Sequence, residues 1–373
     1  MSPIVIIGSG LAGYSLAREF RKLDATTPLT IITADDGRAY SKPMLSNALT
    51  QGKEASALAS ADAEKMAAQF NARIITGQTV QAIEPKQQRI VLNNETLAYR
   101  QLVLAVGATP FRADIDGDSD AILSVNNLRD YEIFRAQLQG KKRVALLGAG
   151  LIGSEFANDL ANAGLLVDVI DRNAWPLGQL VPQQIGQALQ SALQKLGVTF
   201  HFNTSLKRID KTNNGFQLQL ESGEVLHSDV VLSAIGLRAN TQLAQHAGLD
   251  TNRGIVVDDF LQTSDKHIFA LGDCAEINGK VLPFVLPLMH SARALAKTLA
   301  GDATPVQFPP MPVAVKTAAL PISVLPPGDA HGQWQILQQD NHIQALFRDA
   351  ERLKGFVLSG DYAKQAQSLC KQL

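Results

Sequence analysis

Residues 3–13 read PIVIIGSGLAG and residues 143–153 read RVALLGAGLIG. Each begins with an apolar run suited to a strand and continues through Gly-x-Gly-x-x-Gly, carried by Gly8, Gly10 and Gly13 in one copy and Gly148, Gly150 and Gly153 in the other. Apolar residues at helical spacing follow: Ala12, Leu16, Phe20 and Leu23, then Ile152, Phe156, Leu160 and Ala163. A second apolar strand pattern, at residues 29–33 and 166–170, completes a βαβ unit each time. The second copy lies 140 residues after the first, Gly148 after Gly8. The first glycine permits a tight turn, the second lets a pyrophosphate approach the backbone, and the third lets helix and strand pack closely. The unpaired N–H groups and positive dipole end of the helix then suit phosphate charge. One such motif is compatible with a glycine turn kept for packing. Two in the same strand–turn–helix–strand context imply two dinucleotide sites in an α/β protein.

The remaining composition narrows the class. A chain of 373 residues is long enough for two to three domains. With 46% hydrophobic and 18% charged residues it is an ordinary globular protein, which excludes disorder as its main state. Lys plus Arg (34) nearly cancel Asp plus Glu (35), so net charge supplies no long-range pull on nucleic acid or an anionic membrane. The start of the chain runs into the apolar segment 4–7 with no basic leader, and no stretch approaches the ~18 apolar residues of a membrane span. A soluble, cytoplasmic protein is expected, with neither nucleic acid nor membrane as partner. The two cysteines, Cys274 and Cys370, cannot make a CxxC pair, a disulfide framework or a multi-thiolate metal site. The seven histidines show no metal-ligand spacing, so no metal is expected and redox chemistry must come from a bound cofactor.

An acid at the end of the second strand accepts hydrogen bonds from a ribose hydroxyl, whereas an Arg suits a 2′-phosphate. In the second copy this acid is Asp171, which favours NADH, although Arg172 is adjacent. The corresponding place in the first copy holds Thr33 and Ala34, with Asp35 and Asp36 arriving late. Asp35-Asp36-Gly37 reads equally as a ribose contact or as a solvated turn.

Three further segments carry a family resemblance. TSDKHIFALGD (263–273), LVLAVGATP (102–110) and VVLSAIGLRAN (230–240) resemble the second flavin fingerprint and the connecting strands of the FAD-dependent pyridine nucleotide–disulfide oxidoreductases. With the two glycine motifs they run in the family's order from residue 3 to about 290. Within that family, ITADDGRAYSKPMLS (32–46), GLIGSEFANDL (150–160), NRGIVVD (252–258), ALGDCAE (270–276) and PMPVAVKT (310–317) are similar to the bacterial rubredoxin reductases. The redox cysteines that disulfide reductases, coenzyme A disulfide reductases and NADH oxidases carry near YSKPMLS are absent. The resemblance implies a glutathione-reductase-like fold of two Rossmann-like domains plus a small α+β C-terminal domain. The FAD domain would be discontinuous (1–110 and 236–305), with the NAD(H) domain at 111–235 and the C-terminal domain at 306–373.

The resemblance also assigns residues. It places FAD against Gly8, Gly10, Leu11, Ala12 and Gly13, the strand end at Thr33 and Ala34, Gly107, and Asp273 for the ribityl chain. Val80 matches a position whose backbone meets adenine, and it reads equally as core. Val285 and Lys316 match positions near the flavin pyrimidine, Val285 entering a helix expected at 287–300, where plain packing is an equal reading. NADH is assigned to Gly148, Gly150, Ile152, Gly153, Glu155, Asp171 and Gly236. Lys42 and Glu155 match an ion pair beside the flavin, a cation there favouring added negative charge; Lys42 taken alone reads as a surface lysine.

The implied activity is electron transfer from NADH through FAD to rubredoxin, hydride in and single electrons out, with a ferredoxin or a general acceptor as the alternative. A flavoprotein NADH sensor is the rival from another class, and no interaction segment supports it. Docking of an acidic carrier would need a local basic patch, for which Arg293, Lys297 and Lys316 stand in position, a solvated face serving as well. FPPMP at 308–312 marks a boundary, followed by strand-like runs at 334–337 and 343–347 and a helical pattern from Tyr362. Cys274 is expected to be a small buried hydrophobe. Nothing in the sequence decides the oligomeric state; a monomer fits it.

Overall fold

The computed structural model describes residues 2–93, 95–328 and 330–373. The chain divides into two compact units: Met1–Ser41, Ala57–Thr109 and Leu237–Pro309 form the first, and Lys42–Ser56, Pro110–Gly236 and Pro310–Leu373 the second. Three helices position the candidate sites: α1 (Leu11–Arg21), α2 (Leu151–Asn162) and α3 (Val285–Leu299).

In the first unit a parallel sheet runs in the order Ile268–Ala270, Gln101–Leu104, Ile4–Ile7, Leu29–Ile32, Arg73–Ile75. Its central strands, IVII and LTII, are buried throughout, as expected when helices cover a sheet and every residue of a strand faces a packed layer. Leu16, Ala17 and Phe20 of α1 and Ala292, Leu295, Ala296 and Leu299 of α3 share that core. Leu23 leaves the expected apolar face and is 53% exposed. The helix ends at Arg21, and the N–H groups of Leu23 and Asp24 turn back to the Phe20 carbonyl, so helical periodicity no longer applies there. Helix α3 starts at Val285, two residues earlier than expected; Pro287 sits in its first turn, where its missing N–H costs nothing.

In the second unit a parallel sheet is ordered Val198–Phe202, Leu166–Asp171, Arg143–Leu147, Val230–Ser233. An antiparallel C-terminal sheet is ordered Val313–Val315, Ile322–Leu325, Arg352–Ser359, His342–Asp349, Gln333–Gln339. Within this unit one core joins Phe134, Phe156, Leu189 and Leu232 to Ile322, Val324, Ile343 and Val357. The strand Arg352–Ser359 went unread in the sequence because Lys354 and Gly355 interrupt its apolar run; Gly355 passes so close to Leu325 that an added Cβ would stand 2.7 Å from its carbonyl oxygen. The closing segment is a 3-10 turn, Gly360–Gln365, followed by a short helix, Ala366–Cys370. Among the described residues no helix is long and apolar enough to cross a membrane.

Candidate functional site

The two glycine loops are built alike. A Cβ added at Gly13 would lie 1.9 Å from the Gly8 carbonyl oxygen, and one at Gly153 would lie 1.9 Å from that of Gly148. Gly8 and Gly148 press in turn on the carbonyl oxygens of Ala105 and Ala234, at 2.2 and 2.8 Å from an added Cβ. The middle glycines differ: around the Cβ positions of Gly10 and Gly150 there is nothing within 4 Å. These two residues cap α1 and α2 in extended conformation with no side-chain cap bond. Each helix therefore presents first-turn N–H groups to open space, the shape and polarity a pyrophosphate requires. The residues fit a dinucleotide at both places.

Around the first loop the structure gathers most of the expected residues at one end of the sheet. Gly272 lies against α1, an added Cβ coming within 2.9 Å of Ala12 Cβ and 3.7 Å of Leu288 Cδ1 of α3, which sets the Gly272–Cys274 turn, with Asp273 in it, against the start of α1 at Ala12. Thr33 follows the Leu29–Ile32 strand, its N–H donating to the Ile75 carbonyl (2.9 Å). The Gly107 carbonyl accepts from Asn240 N at 3.0 Å. Val80 is buried in the core, so any nucleotide contact there falls to its backbone. Val285 is 39% exposed in the first turn of α3. Asp35 and Asp36 are engaged in their own turn: Asp35 Oδ1 accepts from Asp36 N (2.8 Å), and Asp36 accepts from Arg38 N (3.0 Å) and pairs with its Nε (2.6 Å).

At the second loop Asp171 ends its strand and accepts from Ala149 N at 2.5 Å, inside the glycine loop. Ile152 departs from the expected core face. Phe156 and Leu160 are buried, but Ile152, in the first turn of α2 beside the loop, is 46% exposed. Gly236 follows Ala234, and its carbonyl accepts from Phe111 N at 2.9 Å.

Farther along α2 a polar row interrupts the apolar helix. Glu155 is 2% exposed. Its Oε2 accepts from Ser46 Oγ (2.6 Å) and pairs with Lys316 Nζ (3.0 Å), while Oε1 accepts from Lys316 N (2.9 Å). Lys316 Nζ also donates to the Pro43 carbonyl. One turn on, Asn158 Oδ1 accepts from Ala319 N (3.0 Å), and the Asp159 carboxylate accepts from Leu49 N and Thr50 N (2.9 Å each). Residues 155, 158 and 159 share one helix face. They hold two segments, the loop 42–56 and residues 316–319. The structure thus brings Glu155 together with Lys316 and Ser46; Lys42 opens the 3-10 turn, Lys42–Asn47, that supplies Ser46. Ser46, Asn158 and Asp159 were missed in the sequence: the only signal for Asn158 and Asp159 is their place at i+3 and i+4 from Glu155, and Ser46, 109 residues away, has none. Arg293 and Lys297 are exposed on α3, whereas Lys316 is held by Glu155.

Cys274 is fully buried, donating to the Leu104 and Leu271 carbonyls (3.4 Å each), and burial pushes its thiol pKa up to about 11. Thiolate therefore forms only as pH approaches 11, well above assay conditions. Iodoacetamide at pH 8 is expected to leave Cys274 unlabelled in native protein, by peptide mass spectrometry, with turnover unchanged. Labelling of Cys274 accompanied by loss of activity would contradict this.

Residues 2–296 match the family model for pyridine nucleotide-disulphide oxidoreductases, and residues 305–373 match the model described as a rubredoxin binding C-terminal domain. A rubredoxin-NAD(+) reductase of Alcanivorax borkumensis is 49% identical, the alignment covering 100% of this chain and 99% of the relative. One from Acinetobacter baylyi is 48% identical, over 100% of this chain and 98% of the relative. Among solved structures, a ferredoxin reductase of Rhodopseudomonas palustris superposes with a TM-score of 0.89 at 26% identity, covering 96% of this chain and 91% of that one. The glycine loops, the order of the segments and these matches agree: the chain belongs to the pyridine nucleotide-disulphide oxidoreductase family.

Proposed function

We propose that this protein moves electrons from NADH, through bound FAD, to rubredoxin. The observation that carries the reading is the pair of like-built glycine cradles in a chain whose cysteines offer no redox pair. When bound, FAD accepts a hydride and gives electrons up singly, which suits a one-electron iron protein as acceptor. The first loop, with Thr33, Ala34, Gly107, Asp273 and the backbone at Val80, holds FAD, and Val285 meets it from α3. The second loop, with Ile152, Asp171 and Gly236, binds and orients NADH. The family resemblance assigns Lys42 and Lys316 as the positive charge that favours the electron-rich cofactor, and Glu155 holds Lys316 in place. Residues 305–373 receive rubredoxin, in keeping with their family match. The work is placed in the cytoplasm, where NADH is the donor and unpaired thiols persist.

The likeness to a ferredoxin reductase supports a second reading, in which a [2Fe–2S] ferredoxin is the acceptor. Steady-state assays with both carriers decide between them. Rubredoxin is expected to be reduced at least tenfold faster at equal concentration. Faster turnover with ferredoxin would overturn the choice.

A further inference from the structure

Asp159 is 1% exposed, one turn beyond Glu155 on α2. Its two carboxylate oxygens meet two successive peptide groups: Oδ2 accepts from Leu49 N and Oδ1 from Thr50 N, at 2.9 Å each. The Asp159 carbonyl accepts from Thr50 Oγ1 as well (3.1 Å). Burying a charge against neutral donors costs stability, and an apolar side chain would fill the space without that cost. What the carboxylate adds is geometry. Two oxygens at fixed spacing, each taking one of two neighbouring N–H groups, set both the place and the tilt of the turn that carries them.

That turn belongs to the segment that begins at Lys42. Ser46, in the 3-10 turn Lys42–Asn47, donates to Glu155 Oε2 (2.6 Å), and Gly52 N and Lys53 N turn back to the Leu49 and Ala48 carbonyls (2.8 and 3.0 Å). The helix Leu128–Gln137 holds the far end, Tyr131 Oη donating to the Lys53 carbonyl (2.9 Å) and Arg135 pairing with Glu54 (2.7 Å). All these anchors follow Lys42 in the chain. At about 2 Å per residue a 3-10 turn carries Lys42 roughly 8 Å from Ser46, so a tilt at the anchored end moves the lysine. Lys316, by contrast, is fixed by Glu155 directly, through both Nζ and its main-chain N–H.

We propose that Asp159 is a positioning residue for the flavin-side cation: by fixing the turn at Leu49 and Thr50 it sets the place of Lys42. The proposal rests on reading Lys42 as a cation beside the bound flavin, and deepens it. Positive charge there favours the reduced, electron-rich flavin over the oxidised one, so the place of Lys42 is read in the midpoint potential.

The test is a double-mutant cycle on flavin-loaded protein, with Asp159→Ala, Lys42→Met and the double variant beside the unaltered chain. Two quantities are measured: the flavin midpoint potential, by equilibration with a reference dye, and amide hydrogen exchange in the peptide spanning 47–53. In Asp159→Ala the N–H groups of Leu49 and Thr50 are expected to exchange about tenfold faster, each having lost one hydrogen bond. Flavin reduction should become about tenfold less favourable, a midpoint lower by about 30 mV for a two-electron couple. Lys42→Met should lower the midpoint at least as far, and adding Asp159→Ala to it should change the midpoint by less than about twofold, roughly 10 mV. Asp159→Asn keeps one accepting oxygen and turns an N–H₂ group toward the other donor, so it should fall between, and it supplies the same comparison should the alanine variant not fold. Faster exchange or lower thermal stability with a parent-like midpoint would make Asp159 a structural anchor only and overturn the proposal. An equal fall in midpoint with and without Lys42 would overturn it too. If Lys42→Met alone leaves the midpoint unchanged, the reading of Lys42 as the flavin-side cation falls and takes the proposal with it.

Discussion

Gly13→Ala should yield protein that does not retain FAD, whereas Gly153→Ala should yield yellow protein that NADH bleaches only at about 100-fold higher concentration. Both substitutions add one methyl group at a place where the nearest carbonyl oxygen would be 1.9 Å away, and real Cβ contacts do not fall below 3.0 Å. The helix must therefore retreat from its strand by roughly 1 Å, which is enough to cost about 100-fold in a site that depends on alignment. The strain itself costs about 1–3 kcal/mol, which a domain of this size survives. At Gly13 the helix start that moves is the one proposed to hold the FAD pyrophosphate, so flavin content after purification should fall below about a tenth of the parent's. At Gly153 the flavin stays and the dissociation constant for NADH rises about 100-fold. Flavin absorbance and anaerobic NADH titration measure both effects. Exchanged outcomes, with flavin lost from Gly153→Ala, would reverse the assignment of nucleotides to loops.

Glu155→Gln should slow flavin reduction by NADH about 100-fold while changing NADH affinity less than threefold. The buried carboxylate accepts from Ser46 Oγ and Lys316 N and pairs with Lys316 Nζ. A glutamine keeps one accepting oxygen and sets an N–H₂ group against a donor, so one buried donor loses its partner and Lys316 loses its counter-charge. A fully buried pair broken in this way costs ~3–5 kcal/mol. Lys316 is partly in water, so about 2 kcal/mol of stability is expected to be lost, read from urea unfolding. Asp171 and the glycine loop are the groups proposed to hold ribose and pyrophosphate, and Glu155→Gln leaves them unaltered, so the rate and not the affinity should suffer. Parent-like rate and stability in Glu155→Gln would show that the network positions nothing.

The two repeats, and with them the fold class, were legible because the sterics are local. Gly13 must meet Gly8, and Gly153 must meet Gly148, within one turn of chain. Periodicity misplaced Leu23, Ile152 and Ala163, the last exposed just beyond the end of α2, for a different reason: spacing tells which face a residue shares, not where the helix stops or which turn stands beside an open loop. The network on α2 was illegible because Ser46 is 109 residues from Glu155, and Lys316 161 residues from it. Nothing local in KPMLSN or PMPVAVKT says that both segments end on one helix. The resemblance pointed to Lys42 as the partner of Glu155, and the structure adds Lys316 and Ser46 at that carboxylate. Asp171 was legible from its place at a strand end. Its bonds to Ala149 and Asn173 depend on how the loop folds back, which no spacing rule describes.

In the proposed reaction a single bound flavin links a two-electron donor to a one-electron acceptor with no thiol between them. An anaerobic titration followed at the flavin absorbance tests it most directly. One equivalent of NADH per bound FAD should bleach the flavin completely, and two equivalents of oxidised rubredoxin should then restore the yellow colour, including after iodoacetamide treatment at pH 8. A flavin that NADH fails to bleach, that rubredoxin fails to reoxidise, or that needs a second equivalent of NADH to reduce another redox group would rule this electron path out.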